Sequence, residues 1–280
     1  MMSYIKVSSM KLNKIKILVT RPAHQAEHLC QLIEAEGGQS IRLPVIEIID
    51  IEDKTALFDC RMHLDELDIA IFISANAVDK SLPTLLTPNH SENEKDSLTP
   101  VSTNSTTYFQ REEQTLQIIA VGKRTTSTLK AWGLTALCPD SPFNSEAVLK
   151  MPQMQTEVVQ GKKIVIFRGE GGRELLAETL QQRGAIVNYI NVYRRIQPSV
   201  PKWIADISVD VITVTSIEGL QNLFAMLEKQ VAWLCHTPFV VMSERIRTEA
   251  QKLGVQAPIF VAPTASDDGL LTAILQIPSP

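Results

Sequence analysis

Short apolar runs alternate along this chain with longer amphipathic segments. Residues 16–21 read KILVTR, and the amphipathic stretch AEHLCQLIEAEGG follows them closely. A run of about five apolar, β-branched residues predicts a strand. Apolar residues three and four positions apart, closed by glycine, predict a helix that ends near Gly37 and Gly38.

The same pattern returns in the second half of the chain. Residues 163–168 read KIVIFR, and RELLAETLQQRG follows. Three further pairs keep the same order: DIAIFISAN with DVITVTSIE, IIAVGKRTTSTLKAWG with FVVMSERIRTEAQKLG, and NSEAVL with SDDGLL. The chain therefore contains an internal repeat. The first half carries one insertion at about residues 87–115, whose polar Ser/Thr/Asn-rich composition predicts a disordered surface loop.

Strand-like runs that alternate with helices are typical of parallel sheets covered on both faces. Together with the repeat, this pattern predicts an α/β protein of two similar doubly wound parallel-sheet lobes with a cleft between them.

Composition argues against nucleic-acid binding, metal binding and a position in the membrane. The net charge of -4 and the pI near 5.8 exclude a general basic face for nucleic acid. The four cysteines form no CxxC pair and have no histidine at metal spacing, which favours reduced thiols in the cytoplasm over a metal site or disulfides. No stretch approaches the roughly 18 apolar residues of a membrane span, so no membrane partner is expected.

Small, capping or cationic residues follow the predicted strands. In parallel sheets, ligands lie beyond the carboxyl ends of the strands, and helix N-termini there attract anions. The pattern therefore predicts a site for an anionic ligand, with binding candidates Arg21, Ser74, Asn76, Gly122, Thr125, Arg168, Ser216, Ser243 and Arg245. Serine and threonine at such turns are also ordinary helix caps that act on stability alone, and this alternative remains open for each of them.

Tyr193 stands on an apolar run beside Arg194 and Arg195. A buried tyrosine usually satisfies its hydroxyl with one partner. Its position between a strand and two arginines makes it equally a candidate site residue.

Several of these segments together resemble the uroporphyrinogen-III synthase family. The matching elements, in order, are KILVTRP, LPVIEI, IFISANAV, AVGKRT, RGEGGRELL, INVYRR, TVTSIEGL and the closing helix. The resemblance implies two lobes joined by a two-stranded ladder, formed by the extended runs at 39–50 and 185–197. One lobe would comprise residues 13–40 and 197–280, the other 46–190, with linkers at about 41–45 and 191–196.

The implied reaction, a step of tetrapyrrole and heme biosynthesis, cyclises hydroxymethylbilane, a linear tetrapyrrole, to uroporphyrinogen III. Ring D is inverted, water is lost, and neither cofactor nor metal is required. Tyr193 matches the family's site tyrosine and would donate a hydrogen bond or proton to the departing hydroxyl. Ser74, Ser216 and Thr125 match further site residues.

The turn at Ser243 departs from the family pattern, because it lacks the usual glycine and threonine and leaves Arg245 as the candidate contact. We expect a monomer. The alternative function is a non-catalytic two-lobed binding protein for a small polyanionic ligand, which shares the repeat and differs in having no turnover.

Overall fold

The computed structural model describes residues 11–87 and 116–277. The predicted insertion at about 87–115 lies outside the described residues, apart from Thr87. The chain divides into two compact units, the first formed by Met1–Glu47 and Ile196–Pro280 and the second by Ile48–Arg195.

The described residues form ten strands and eleven α-helices. In chain order the strands are β1 (Lys16–Val19), β2 (Gln39–Arg42), β3 (Glu47–Asp50), β4 (Ile69–Phe72), β5 (Gln117–Ala120), β6 (Lys163–Gly169), β7 (Ile186–Ile196), β8 (Val211–Val214), β9 (Phe239–Val241) and β10 (Ile259–Val261). The helices are α1 (Ala23–Ala35), α2 (Thr55–Met62), α3 (Ala75–Leu85), α4 (Lys123–Ala131), α5 (Ser145–Lys150), α6 (Thr156–Val159), α7 (Leu175–Gln182), α8 (Ile217–Met226), α9 (Val231–His236), α10 (Glu244–Lys252) and α11 (Asp267–Ile274).

Each unit is built on one five-stranded sheet. The first has the order β10-β9-β8-β1-β2, and all its neighbouring strands are parallel. The second has the order β3-β7-β6-β4-β5, with β7, β6, β4 and β5 parallel to one another. The predicted α/β class with two parallel sheets is confirmed.

The internal repeat of the sequence is also a repeat of topology. If β7, β6, β4 and β5 take the places of β2, β1, β8 and β9, the two strand orders coincide. The second sheet also has a short counterpart of β10. Leu137 makes a single parallel bridge to Ile119 of β5, on the side where β10 pairs with β9 in the first sheet. Similar hydrophobic patterns in the two halves therefore produce the same sheet, although each sheet contains strands from both halves.

The extended run at 39–50 is two strands rather than one. Its first part, β2, lies beside β1 in the first sheet, and its second part, β3, lies beside β7 in the second. Pro44 stands between them and has no N–H for a ladder. The chain crosses between units within β3 and at the end of β7, which are neighbours in one sheet.

Both faces of the second sheet are buried. Ala70 and Phe72 of β4 belong to one apolar cluster, and Ile69 and Ile71 belong to another on the opposite face. On the first face, the rings of Phe72 and Phe167 stack with centroids 4.8 Å apart. Burial on two faces explains why these strands are continuous apolar runs and do not alternate with polar residues.

Strand β7 is irregular where it passes the end of β6. Arg168 is paired with Asn191, but the next residue, Gly169, is paired with Tyr193, so β7 contains one extra residue. The Tyr193 side chain is only 2% exposed and lies against Gly169. A Cβ added to Gly169 would stand 2.6 Å from the Cε2 and Cζ atoms of the ring. Glycine is therefore required here by space.

Gly169→Ala is expected to destabilise the protein by about 1–3 kcal/mol, the usual cost of overpacking a core. Urea unfolding measures this change. The matched comparison is the same substitution in a Tyr193→Leu background, where no ring meets the new methyl group and the added cost of alanine should largely disappear. An equal cost in both backgrounds would show that the tyrosine ring is not what requires glycine.

Candidate active site

Several of the predicted site residues lie at the point in each sheet where the direction of winding reverses. The connection from β1 leads to β2 on one side, and the connection from β8 leads to β9 on the other. In the second sheet the same reversal separates β6 from β4. A crevice forms beyond the carboxyl ends of two such strands, and ligands of α/β proteins bind there. The residues at these ends are Arg21 and Ser216 in the first unit, and Arg168 and Ser74 in the second.

The turn serines cap their helices. Ser74 precedes α3, and its Oγ accepts a hydrogen bond from the Ala77 N–H at 3.1 Å. Ser216 precedes α8 in the same way and accepts from the Gly219 N–H at 2.9 Å. Both serines are therefore helix caps, which leaves a further contact with a ligand or another residue open for each.

The next pair of helices starts differently. Ser243 precedes α10 without a side-chain capping hydrogen bond, and α4 begins after Gly122, which has no side chain to offer. Thr125 lies buried in the first turn of α4. Since no side chain caps α4 or α10, their N-termini are the better candidates for holding an anion.

The arginines at the switch points are held by carboxylates of their own unit. Arg21 forms an ion pair with Asp267 in the first turn of α11, and His28 contacts the other carboxylate oxygen at 2.9 Å. The Arg168 side chain is 8% exposed and lies 3.0 Å from the Glu174 carboxylate. Both charges are thus partly neutralised without a ligand.

Arg168 also lies over the ring of Tyr189, with its Cζ 4.1 Å from the ring centroid. Its Nε is buried and has no hydrogen-bond partner among the residues that the structure describes. The guanidinium is therefore fixed by stacking and by one carboxylate.

Arg245 differs from Arg21 and Arg168. It lies in the first turn of α10 and is exposed. Within residues 11–87 and 116–277 it forms no ion pair. Asn76 lies in the first turn of α3, next to the Ser74 cap. Arg245 is consequently the predicted binding arginine whose charge is available to a ligand.

Two predicted site residues are in direct contact. The Tyr193 hydroxyl oxygen lies 3.1 Å from the Ser74 Oγ, although the residues are on β7 and at the start of α3. The guanidinium of Arg195 lies 5.9 Å from the centroid of the Tyr193 ring. Arg194 is directed to Glu52 at 3.1 Å. The tyrosine therefore presents a fixed hydroxyl at the carboxyl edge of the second sheet.

The partners of these residues carry no signal in the sequence. Asp267 belongs to the segment SDDGLL, and an acidic residue there has an ordinary explanation in the helix dipole. Its pairing with Arg21 joins residues that are far apart in sequence. Glu174 lies within the segment RGEGGRELL and Tyr189 lies just before INVYRR, but nothing in either segment marks these residues as partners of Arg168.

Among the described residues, the thiols and acidic side chains show no other reactive centre. Burial raises the pKa of the Cys60 thiol to about 12, so it stays protonated and weakly nucleophilic at neutral pH. All four cysteines are free. Across the described part of the chain, no group of three His, Cys, Asp or Glu side chains is placed to hold a metal ion. None of the helices described is long and apolar enough to span a membrane.

Comparison with known proteins connects this arrangement to one family. A family model described as uroporphyrinogen-III synthase HemD matches residues 27–272. The uroporphyrinogen-III synthase of Escherichia coli K12 is 32% identical over 269 residues, which cover 93% of this chain and 100% of the relative. The enzyme of the same name from Salmonella typhimurium LT2 is 32% identical over 270 residues, with the same coverage.

Solved structures share the fold. A mutant uroporphyrinogen III synthase from the extreme thermophile Thermus thermophilus aligns with a TM-score of 0.55 and 14% identity, covering 93% of this chain and 97% of the other. Uroporphyrinogen-III synthetase from Helicobacter pylori 26695 aligns with a TM-score of 0.54 and 15% identity, covering 93% and 98%. At this identity the alignments establish the fold alone. With the match of the family model and the 32% identity to full-length relatives, they lead to one conclusion: the chain belongs to the uroporphyrinogen-III synthase family.

Proposed function

We propose that this protein cyclises hydroxymethylbilane to uroporphyrinogen III, with inversion of ring D and loss of water. Cyclisation of this bilane is the function of the family. The observation that carries the proposal is the family match over residues 27–272. The reversal of winding in each sheet adds support, because ligands of α/β proteins bind beyond strand ends of this kind and Arg21, Ser74, Arg168 and Ser216 follow such ends.

The reaction requires the protein both to position the substrate and to transfer a proton. The hydroxyl on ring A must leave as water, which produces an electron-poor azafulvene. Ring D is then attacked at its substituted α-carbon, and a spiro intermediate opens and closes again in the inverted sense. The protein must hold ring D bent back against simple end-to-end closure, so much of its contribution is orientation.

Tyr193 is the proposed donor to the departing hydroxyl. A phenol donates one hydrogen bond without bringing a charge into the site. Its ring is buried and cannot swing away, because Gly169 and Ser74 fix it from two sides. The hydroxyl is thus held at the sheet edge that α/β proteins use for ligands.

Recognition of the carboxylates is proposed to be distributed. The tetrapyrrole carries eight of them, whereas Arg21 and Arg168 are already paired with Asp267 and Glu174. Exposed Arg245 and the uncapped N-termini of α4 and α10 supply the remaining positive potential. Asn76, Thr125, Ser216 and Ser243 are proposed as neutral contacts from the first turns.

We also propose a cellular compartment, an oligomeric state and lobe boundaries for the enzyme. The four free cysteines favour the reducing cytoplasm. We propose a monomer without nucleic-acid partners, and lobes at 13–40 with 197–280 and at 46–190. The division of the chain near residues 47 and 196 supports a discontinuous first lobe.

Turnover tests the proposal directly. The purified chain is given hydroxymethylbilane, and the oxidised porphyrin products are separated as isomers I and III. Predominance of isomer III is expected. Isomer I at the spontaneous rate, together with tight binding of the bilane, would favour the non-catalytic binding protein instead.

Tyr193→Phe is expected to lower kcat by about 100-fold and to leave KM nearly unchanged, because it removes one positioned proton donor and keeps the ring. Tyr193→Ala should be worse, since packing is lost as well. The rate of isomer III formation measures both effects.

Tyr189→Phe is the matched control on the same strand. The Tyr189 hydroxyl accepts a hydrogen bond from the Ala177 N–H at 3.2 Å, and phenylalanine preserves the ring beneath Arg168. Wild-type kcat is expected for this variant. Full activity of Tyr193→Phe would remove the Tyr193 hydroxyl from the mechanism and leave the ring as a wall of the site.

Arg245→Ala is expected to weaken substrate binding by about 1–3 kcal/mol, the contribution of one charged hydrogen bond, while kcat and the melting temperature stay nearly unchanged. The control is Arg247→Ala on the same helix, whose guanidinium is 3.0 Å from Glu244. KM should remain at the wild-type value there. Complete loss of binding in folded Arg245→Ala protein would contradict distributed recognition.

A further inference from the structure

We infer that Ser74 is a positioning residue for Tyr193, and that it donates its hydroxyl proton to the phenol oxygen. Its equivalent in the first unit, Ser216, serves as a cap without this additional role. The consequence for catalysis depends on the proposed function, whereas the hydrogen bond and its direction can be measured without turnover.

The hydrogen bonds of Ser74 leave a choice of direction. A serine hydroxyl has one proton to donate and two lone pairs to accept. One lone pair accepts from the Ala77 N–H at 3.1 Å, which caps α3. The Tyr193 oxygen lies 3.1 Å away on another side, and either oxygen of this pair can be the donor.

The chemistry selects between the two directions. If Tyr193 donated to Ser74, its proton would already be engaged and unavailable to the departing hydroxyl. If Ser74 donates, the phenol proton remains free for the substrate. A chain of aligned hydrogen bonds then runs from the α3 N–H through Ser74 to Tyr193, and each bond strengthens the next.

The same direction stabilises the tyrosine after proton transfer. As the C–O bond of the hydroxymethyl group breaks, its electron pair stays on the oxygen, and the Tyr193 proton completes a water molecule. The phenol oxygen becomes negative and accepts a stronger hydrogen bond from Ser74. Final ring closure displaces a hydrogen from ring D as a proton, which restores the phenol.

Because the sequence repeats, Ser216 can be compared with Ser74 to distinguish helix capping from positioning of the tyrosine. Ser216 follows β8 as Ser74 follows β4, and it caps α8 with a 2.9 Å bond from the Gly219 N–H. In the described residues of the first unit, no tyrosine contacts it. A cap at this turn therefore needs no phenol. The contact of Ser74 with Tyr193 is additional, and the extra residue of β7 opposite Gly169 produces it.

Four substitutions separate the two roles. Ser74→Ala removes the cap and the proton donor. Ser74→Thr keeps both. Ser74→Asp keeps a strong cap but, as a carboxylate, has no proton to donate. Asn144→Ala removes the cap of α5 in the same unit. The Asn144 Oδ1 accepts from the Ala147 N–H at 2.9 Å, and no hydrogen bond in the described part of the structure joins Asn144 to Tyr193.

Steady-state formation of isomer III is the first measurement. Ser74→Ala and Ser74→Asp are expected to lower kcat by about 10- to 100-fold with KM within about twofold of wild type, and Ser74→Thr should recover most of the rate. Asn144→Ala should lower the melting temperature about as much as Ser74→Ala and leave kcat unchanged. In a Tyr193→Phe background, Ser74→Ala should cause little further loss. Wild-type kcat in Ser74→Asp, or additive losses in the double variant, would overturn the inference.

The direction of the hydrogen bond is measured separately by ultraviolet resonance Raman spectroscopy. The tyrosine Fermi doublet reports whether a phenol oxygen accepts or donates, and subtraction of the Tyr193→Phe spectrum isolates Tyr193. An acceptor signature is expected in wild type and in Ser74→Thr, and it should vanish in Ser74→Ala and Ser74→Asp. A donor signature in wild type would refute the inference even if turnover is normal. An inactive wild type with the acceptor signature would refute the proposed function alone.

Discussion

The parallel pairing of two central strands from distant parts of the chain is the constraint on which the rest of the structure depends. In the first unit, Ile17 of β1 is paired with Val211 of β8, and in the second, Ile69 of β4 is paired with Ile164 of β6. Each pairing needs the intervening chain to close a long loop, at an entropic cost that grows slowly with length. Burial of both faces of the sheet offsets that cost.

Each central pairing also brings together candidate site residues of its own unit. Because parallel strands end at the same edge, each pairing sets an arginine beside a serine-capped helix. Buried threonines fix the first of these joints, since the Thr20 hydroxyl donates to the Thr213 carbonyl at 2.7 Å and the Thr213 hydroxyl donates to Leu18 at 3.1 Å. The second joint has stacked rings in place of hydroxyls. Buried contacts therefore join the two central strands in both units, which suits a reaction that depends on orientation.

The arginine charge at the carboxyl end of each sheet is partly neutralised by a carboxylate of the same unit. An arginine buried without a partner would be costly, and Asp267 and Glu174 remove much of that cost for Arg21 and Arg168. In each unit, the candidate arginine is therefore half-neutralised by a carboxylate of that unit.

Much of the fold could be predicted from the sequence, because it depends on local patterns. Spaced apolar residues closed by Gly37 and Gly184 predict helix ends, and both glycines adopt positive φ, 84° and 85°. The run at 39–50 was predicted as one extended segment and is two strands, since hydrophobicity alone does not reveal which sheet a residue joins. The order of the repeats predicted the two similar sheets.

The candidate site was likewise predictable from the sequence only where it depends on local patterns. The sequence by itself determined which residue types follow each strand: arginine, serine or glycine, each at a predictable turn. Only the tertiary structure decided that Ser74 holds Tyr193, that Gly169 makes room for its ring, and that Asp267 neutralises Arg21. These contacts join residues from different strands and helices. Local propensity acts over a few neighbouring residues, whereas such contacts exist only after the parallel sheets have formed.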